Sequence, residues 1–272
     1  MSDLSRPAGP KIVAIANQKG GVGKTTTTIN LAAALAEAGK RILVVDLDPQ
    51  GNASTGLGIE VEDREFTTYD LLLDDSLPED VIQRTETDGL LIVPATVDLS
   101  SADIELFSNE KRSFLLHDAL RQPAMDQFEF AYILIDCPPS LNMLTLNALV
   151  AAQGILIPMQ CEYYALEGLS ALMQTITSIQ SGPNPQLEIT GLIRTMYDPR
   201  NSLTKDVSDQ LTEHFGDKLF TSVIPRNVRL AEAPSHGLPV LMYDKASKGA
   251  LAYLALAGEL NRRMTGGKKL PP

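Results

Sequence analysis

Two lysines and three glycines fall within nine residues, Gln18-Lys19-Gly20-Gly21-Val22-Gly23-Lys24-Thr25-Thr26. Glycines at 20, 21 and 23 let a backbone turn with its N–H groups facing inward, a nest for an anion, and a helix opening there adds its positive end. Lys24 would set a point charge on the terminal phosphates of a nucleotide, with the Thr25 hydroxyl placed to ligate Mg²⁺. The plain alternative is a glycine-rich turn before an ordinary helix, and Gly-Lys-Thr-Thr between an apolar strand and a helix argues against it. The match to G-x-x-x-x-G-K-[ST] is imperfect, because Gln18 stands where the first glycine belongs.

Three aspartates follow apolar runs. Asp46 and Asp48 come after Arg-Ile-Leu-Val-Val, and Asp136 ends Tyr-Ile-Leu-Ile. In an open α/β sheet that places them at the carboxyl ends of strands, where ligands gather. Asp46 reads as a strand-end residue with at most a supporting role. Asp136 has a second reading as the cap of a helix starting near Leu141. His117, His214 and His236 lack metal-ligand spacing and read as structural. Cys137 reads as a small buried side chain, and Met159, Met173 and Met196 as core filler.

The elements that must position these groups alternate in type. Expected strands are 11–16, 41–46, 90–94, 132–136, 154–158, 189–197 and 219–224. Expected helices are 25–38, 102–120, 141–151, 166–180, 203–215 and 247–264, with a loop over 48–58. Gly39 is the stop signal past the first helix. Strands alternating with helices point to parallel βαβ units. The fold class is therefore α/β, a doubly wound, mostly parallel sheet with helices on both faces. One domain spans 11–264, with flexible segments at 1–10 and 265–272.

Composition agrees. The chain has 272 residues, of which 44% are hydrophobic and 21% charged, enough for a sizeable core. No apolar run approaches the ~18 residues of a membrane span, and the opening MSDLSRPAGPK has no apolar core of a secretion signal. Two cysteines, Cys137 and Cys161, make no disulfide framework, and a reducing cytoplasm is the expectation. The net charge of −11 is unevenly spread. Residues 1–136 carry 11 Lys and Arg against 23 Asp and Glu, whereas from Arg194 onward the balance is 12 against 8. A local basic face in the last third is compatible with contact to phosphates on an acidic protein.

Four segments carry a resemblance. Ala-Asn-Gln-Lys-Gly-Gly-Val-Gly-Lys-Thr-Thr (16–26), Val-Asp-Leu-Asp-Pro-Gln-Gly-Asn (45–52), Leu-Ile-Asp-Cys-Pro-Pro-Ser-Leu (134–141) and Ile-Pro-Arg-Asn-Val-Arg-Leu-Ala-Glu-Ala-Pro (224–234) resemble the ParA (Soj-type) partitioning branch of the ParA/MinD P-loop ATPases. Lys19-Gly-Gly-x-Gly-Lys-Thr-Thr looks like the deviant Walker A loop of that family. The resemblance implies ATP and Mg²⁺ as ligands, with residues 19–26 (Lys19, Gly20, Gly21, Val22, Gly23, Lys24, Thr25, Thr26) around the phosphates. It further implies Lys19 reaching a partner's nucleotide across a homodimer, Asp48 orienting the attacking water, and Asp136 holding Mg²⁺ with Thr25 and Asp48. Pro225, Arg226 and Asn227 match the segment that packs on adenine, with Asn227 at a base edge. The alternative for Asn227 is a plain helix N-cap.

The function so implied is an ATP-dependent DNA-segregation ATPase, cytoplasmic and nucleoid-associated. Its ATP-bound dimer would bind double-stranded DNA without sequence preference and be released by hydrolysis that a ParB-type partner stimulates. Arg194, Arg226 and Arg229 rank first for DNA, ahead of Arg200, Lys205, Lys245 and Lys248, and Arg226 could serve the nucleotide instead. Two related functions stand as alternatives, a MinD-like membrane-recruited regulator and a nucleoid-based positioner of protein cargo. The membrane role needs a C-terminal amphipathic anchor, which Gly-Gly and Pro-Pro near the end oppose, so no membrane partner is expected. A partition protein doubling as a site-specific repressor would need an N-terminal helix-turn-helix, for which ten residues are too few.

Overall fold

The first strand, KIVAI, is followed after eight residues by a helix, and this strand–loop–helix unit is the centre of the sheet. The computed structural model describes residues 9–73, 76–107, 109–162 and 165–266, so most of the expected segments at 1–10 and 265–272 lie outside the described residues. Eight strands are formed: β1 Lys11–Ile15, β2 Ile42–Asp46, β3 Gln83–Arg84, β4 Leu90–Val93, β5 Tyr132–Asp136, β6 Gly154–Gln160, β7 Glu188–Tyr197 and β8 Leu219–Pro225. They lie side by side in the order β3-β4-β2-β5-β1-β6-β7-β8. Every neighbouring pair is parallel except β3 on β4.

Both faces of the sheet are covered, which is why the central strands are apolar without alternation. Ile12 and Ala14 of β1, with Leu43, Val45, Ile133 and Ile135, join one core, packed by helices Met143–Ala151 and Ala165–Gln180 through side chains such as Leu144, Leu172 and Ile176. Val13 and Ile15, with Val44 and Leu134, join the other, covered by helices Lys24–Glu37 and Lys248–Met264 through Leu31, Leu35, Leu256 and Leu260. Fully burying one such side chain contributes roughly 1.5–3 kcal/mol. Register then fixes the site. Ile15 of β1 and Asp46 of β2 both pair with Asp136 of β5, so three chain segments end level at one edge.

Three of the sequence-based elements change, and β3 and the helices Thr68–Leu73, Pro78–Val81 and Val240–Tyr243 stand where no element is expected. The helix expected over 102–120 is two pieces, Leu99–Phe107 and Leu115–Ala119. Between them the Asn109 side chain accepts from the Lys111 N–H, a local turn that competes with helix. The strand expected to end at Pro158 runs to Gln160. Pairing with β1 stops at Leu156, so a residue without an N–H is tolerated beyond it. The loop over 48–58 contains a helical turn, Asn52–Gly56.

Candidate functional site

Between β1 and helix Lys24–Glu37 the loop turns on two left-handed glycines, Gly21 (φ 72°) and Gly23 (φ 88°). Gly23 is also the helix N-cap, and no side chain caps the helix there. The first-turn N–H groups are thus left for an anion, where the helix dipole also favours negative charge. Lys24 is buried, and its Nζ donates back to the Lys19 carbonyl at 3.2 Å, lying along the loop it would serve. Burial lowers its pKa, against the opposing pull of Asp136 and Asp48.

The carboxylates are placed by hydroxyls. Asp136 is fully buried and accepts from Thr25 Oγ1 at 2.7 Å and from Thr28 Oγ1 at 2.8 Å. It does not cap the following helix; Asn142 does, accepting from the Thr145 N–H. Asp46 is equally buried and holds Ser54 through its N–H (2.9 Å) and hydroxyl (2.7 Å), besides the Asp48 N–H at 3.2 Å. Burial is the main cause that raises both the Asp46 and Asp136 pKa values, and at Asp136 the nearby Asp46 charge adds to it. Asp46 is therefore the positioning residue for the Asp48 loop, a role its place at the strand end did not reveal.

Asp48 is nearly buried and accepts from the Gln50 N–H at 3.0 Å. The turn beyond it closes on Gly51, where a Cβ would meet Arg64 Nη1 at 2.3 Å and the Ala95 carbonyl at 2.8 Å. Arg64 straps this loop down, donating to the carbonyls of Ile59 and Ala95 and to the Thr55 hydroxyl. Thr25 and Asp136, joined by their hydrogen bond, offer hard oxygen donors of the kind that suit Mg²⁺ beside phosphates. Thr28 and Arg64 were missed by motif. The run Thr25–Thr28 did carry the signal for Thr28, three residues on and so on the same helical face.

Beside the loop lies a cavity of about 200 Å³ whose lining includes Gly23, Thr26, Met196, Pro225, Asn227 and Tyr253. Asn227 is the N-cap of helix Val228–Glu232, its Oδ1 accepting from the Arg229 N–H at 2.9 Å, and the same residue lines the cavity. Met196 is not core filler. It stands in the left-handed region (φ 48°) at the end of β7 and forms part of the cavity wall.

The three arginines expected first at DNA differ in what they touch. Arg194 turns inward, its Nη1 donating to Ser208 Oγ (2.8 Å) and its Nη2 to the Phe220 carbonyl (2.9 Å), with Nε buried and the guanidinium 5.7 Å from the Tyr197 ring. These bonds tie β7, β8 and helix Ser202–Phe215 together, and a contact with DNA would have to share the guanidinium with them. Arg229 is exposed but flanked by Glu232 (2.8 Å) and Asp244 (3.3 Å). Arg226 is exposed beside the cavity. Lys19 stands outside the nest with its Nζ 2.6 Å from Glu162 Oε2, and both side chains are partly exposed.

A glycine nest at a helix start, a buried lysine and a hydroxyl-bound strand-end aspartate, on a doubly wound sheet, define a P-loop nucleoside triphosphatase. A family model described as an AAA domain matches residues 10–189. The chain is 53% identical over 253 residues to the chromosome partitioning protein ParA of Caulobacter vibrioides, covering 93% of this chain and 94% of that protein. It is 52% identical over 250 residues to the sporulation initiation inhibitor protein Soj of Bacillus subtilis, covering 92% and 98%. Among solved structures it is similar to a Mycobacterium smegmatis protein described as cobyrinic acid a,c-diamide synthase with bound ADP and magnesium, at a TM-score of 0.83 and 36% identity, over 96% of this chain and 98% of that one. The chain belongs to the ParA/Soj family of P-loop ATPases.

Proposed function

We propose that this chain is an ATP-driven partitioning switch that segregates DNA. In this reading ATP binding closes two copies into a sandwich dimer, the dimer binds duplex DNA without sequence preference, and hydrolysis stimulated by a centromere-binding ParB-type partner releases it. The observation that carries the reading is the position of Lys19. It belongs to the phosphate loop, yet its side chain points outside the nest to Glu162. A cation so placed serves no phosphate of its own chain and is available to a second one, as an arginine finger is supplied in trans. Leaving Glu162 costs little, since a partly exposed ion pair is worth ~0–1 kcal/mol.

Within one chain the division of labour is direct. The nest and Lys24 would bind the phosphates, Thr25, Asp48 and Asp136 would hold Mg²⁺, which would supply positive charge at the transferred phosphoryl group, and Asp48 would orient the attacking water. Asp46, anchored to Ser54, keeps Asp48 in place. DNA binding is assigned to the last third of the chain, where the charge balance turns positive, because neutralising phosphates needs cations and no base readout.

The test is binding of a labelled nonspecific duplex, followed by fluorescence anisotropy with no nucleotide, with ADP and with ATP plus Mg²⁺. Strong binding with ATP alone is the expected outcome. Equal binding in all three conditions refutes the switch, and ATP-dependent pelleting with anionic liposomes in place of DNA binding favours a membrane role.

A further inference from the structure

Thr195 lies on β7, opposite Gln160 of β6, and is buried at 3% exposure. Its hydroxyl donates to the carbonyl oxygen of Val22 at 2.7 Å. Val22 is in the phosphate loop, so this bond joins two segments 173 residues apart. The Thr195 methyl also packs on the loop, since a Cβ placed on Gly23 would lie 3.8 Å from Thr195 Cγ2.

The consequence follows from peptide geometry. In a planar trans peptide the C=O of one residue and the N–H of the next point in opposite directions. A hydroxyl that draws the Val22 carbonyl outward toward β7 therefore turns the Gly23 N–H the other way, into the concavity of the loop. Gly23 is left-handed and opens the helix, the arrangement in which successive N–H groups converge on an anion. Without the anchor, the peptide between Val22 and Gly23 is freer to rotate about Val22 ψ and Gly23 φ, because Gly23 tolerates either sign of φ.

We propose that Thr195 is a positioning residue for phosphate binding, holding the Val22–Gly23 peptide so that the Gly23 N–H faces the nucleotide phosphates. The next residue, Met196, forms part of the wall of the adjacent cavity. One turn at the end of β7 thus sets both the donor direction in the loop and the shape of the base cavity. The inference rests on the assignment of nucleotide binding to this loop.

The experiment is titration calorimetry with ADP and Mg²⁺, which separates binding from hydrolysis, on the wild-type chain and on Thr195→Val, Thr195→Ser and Thr195→Ala. Val keeps the shape and loses the donor, while Ser and Ala differ from each other by the oxygen alone. Thr195→Val and Thr195→Ala should each weaken ADP binding at least ~10-fold, the effect of losing about one hydrogen-bonded orientation. Thr195→Ser should stay within ~3-fold of wild type, because its hydroxyl keeps the bond. Thermal midpoints without nucleotide, which a purely structural role would move first, should rank the variants by packing and not follow affinity. Should Thr195→Val fail to fold, the Ser and Ala pair alone decides. Equal affinity in that pair, or wild-type affinity in Thr195→Val, overturns the positioning role. A wild-type chain that does not bind ADP overturns the assignment of the loop itself.

Discussion

The phosphate loop and the basic last third hold the two sets of cations on which the proposed switch depends, and they were built on different rules. In the loop, function is a property of the backbone. Gly21 and Gly23 must adopt left-handed angles, Lys24 must follow at the helix start, and spacing alone fixes where each group goes. In the last third, function depends on what each side chain touches. Arg194, Arg226 and Arg229 have the same chemistry in sequence, yet one is tied inward, one is exposed and one is paired with two carboxylates. Motif reading therefore carries much further in the first region than in the second.

The two loop lysines sharpen this contrast, because they share a motif and differ only in direction. Lys19→Ala should leave ADP affinity within ~3-fold while ATP-dependent dimerisation disappears and turnover falls ~1000-fold, the scale of a trans cation in phosphoryl transfer. Sedimentation velocity with ATP, together with phosphate release, measures both. An unchanged ATP dimer with normal turnover would break the trans assignment. Lys24→Ala should act one step earlier. It removes the buried cation of the nest, and ATP affinity should fall ~100-fold or more, the equivalent of a charge-assisted hydrogen bond. Wild-type affinity in this variant would show that the loop is not the phosphate site.

Those two outcomes bear on how much of the molecule was legible from its residues. The doubly wound sheet, the nest and the aspartate-ended strands were readable because each rests on a local rule: apolar runs, glycine at left-handed turns, a hydroxyl after a lysine. What was not readable is long-range. Arg64 strapping the Ala95 carbonyl and Thr195 holding the Val22 carbonyl each join segments that only the fold brings together. Met196 reads as core filler from its residue type, whereas in the structure it takes a left-handed φ at the end of β7 and lines the cavity. The helix break at Asn109 had a signal in Asn followed by polar residues.

In the second region the expected effects are smaller and of two kinds. Arg194→Ala should destabilise the fold by ~1–3 kcal/mol, because it leaves the Phe220 carbonyl and the Ser208 hydroxyl without their donor in a part-buried setting. Urea denaturation reads this loss directly. The salt dependence of DNA binding should not change, since a guanidinium engaged inside neutralises no phosphate. A reduced salt slope with unchanged stability would return Arg194 to the DNA face.

Arg226 is the complementary case and the smallest effect. It is exposed and borders the cavity, so it has two possible employers, and one variant separates them. If it meets DNA, Arg226→Ala removes one phosphate contact per chain. Each lost contact lowers the slope of log K against log salt by ~0.9 for duplex DNA, so a dimer loses ~1.8. The nearby Asp198 carboxylate is held at about 2, chiefly by hydrogen bonds from Arg200 and in small part by the Arg226 charge. An exposed guanidinium at the edge of a base cavity contributes little to a neutral base, so ADP affinity should stay within ~3-fold. Anisotropy over a salt series with ATP, and calorimetry with ADP, give the two numbers on the same preparation. A large loss of ADP affinity with an unchanged slope assigns Arg226 to the nucleotide. The DNA surface would then have to be built from exposed pairs such as Arg229 with Glu232, which exchange carboxylate for phosphate at little cost.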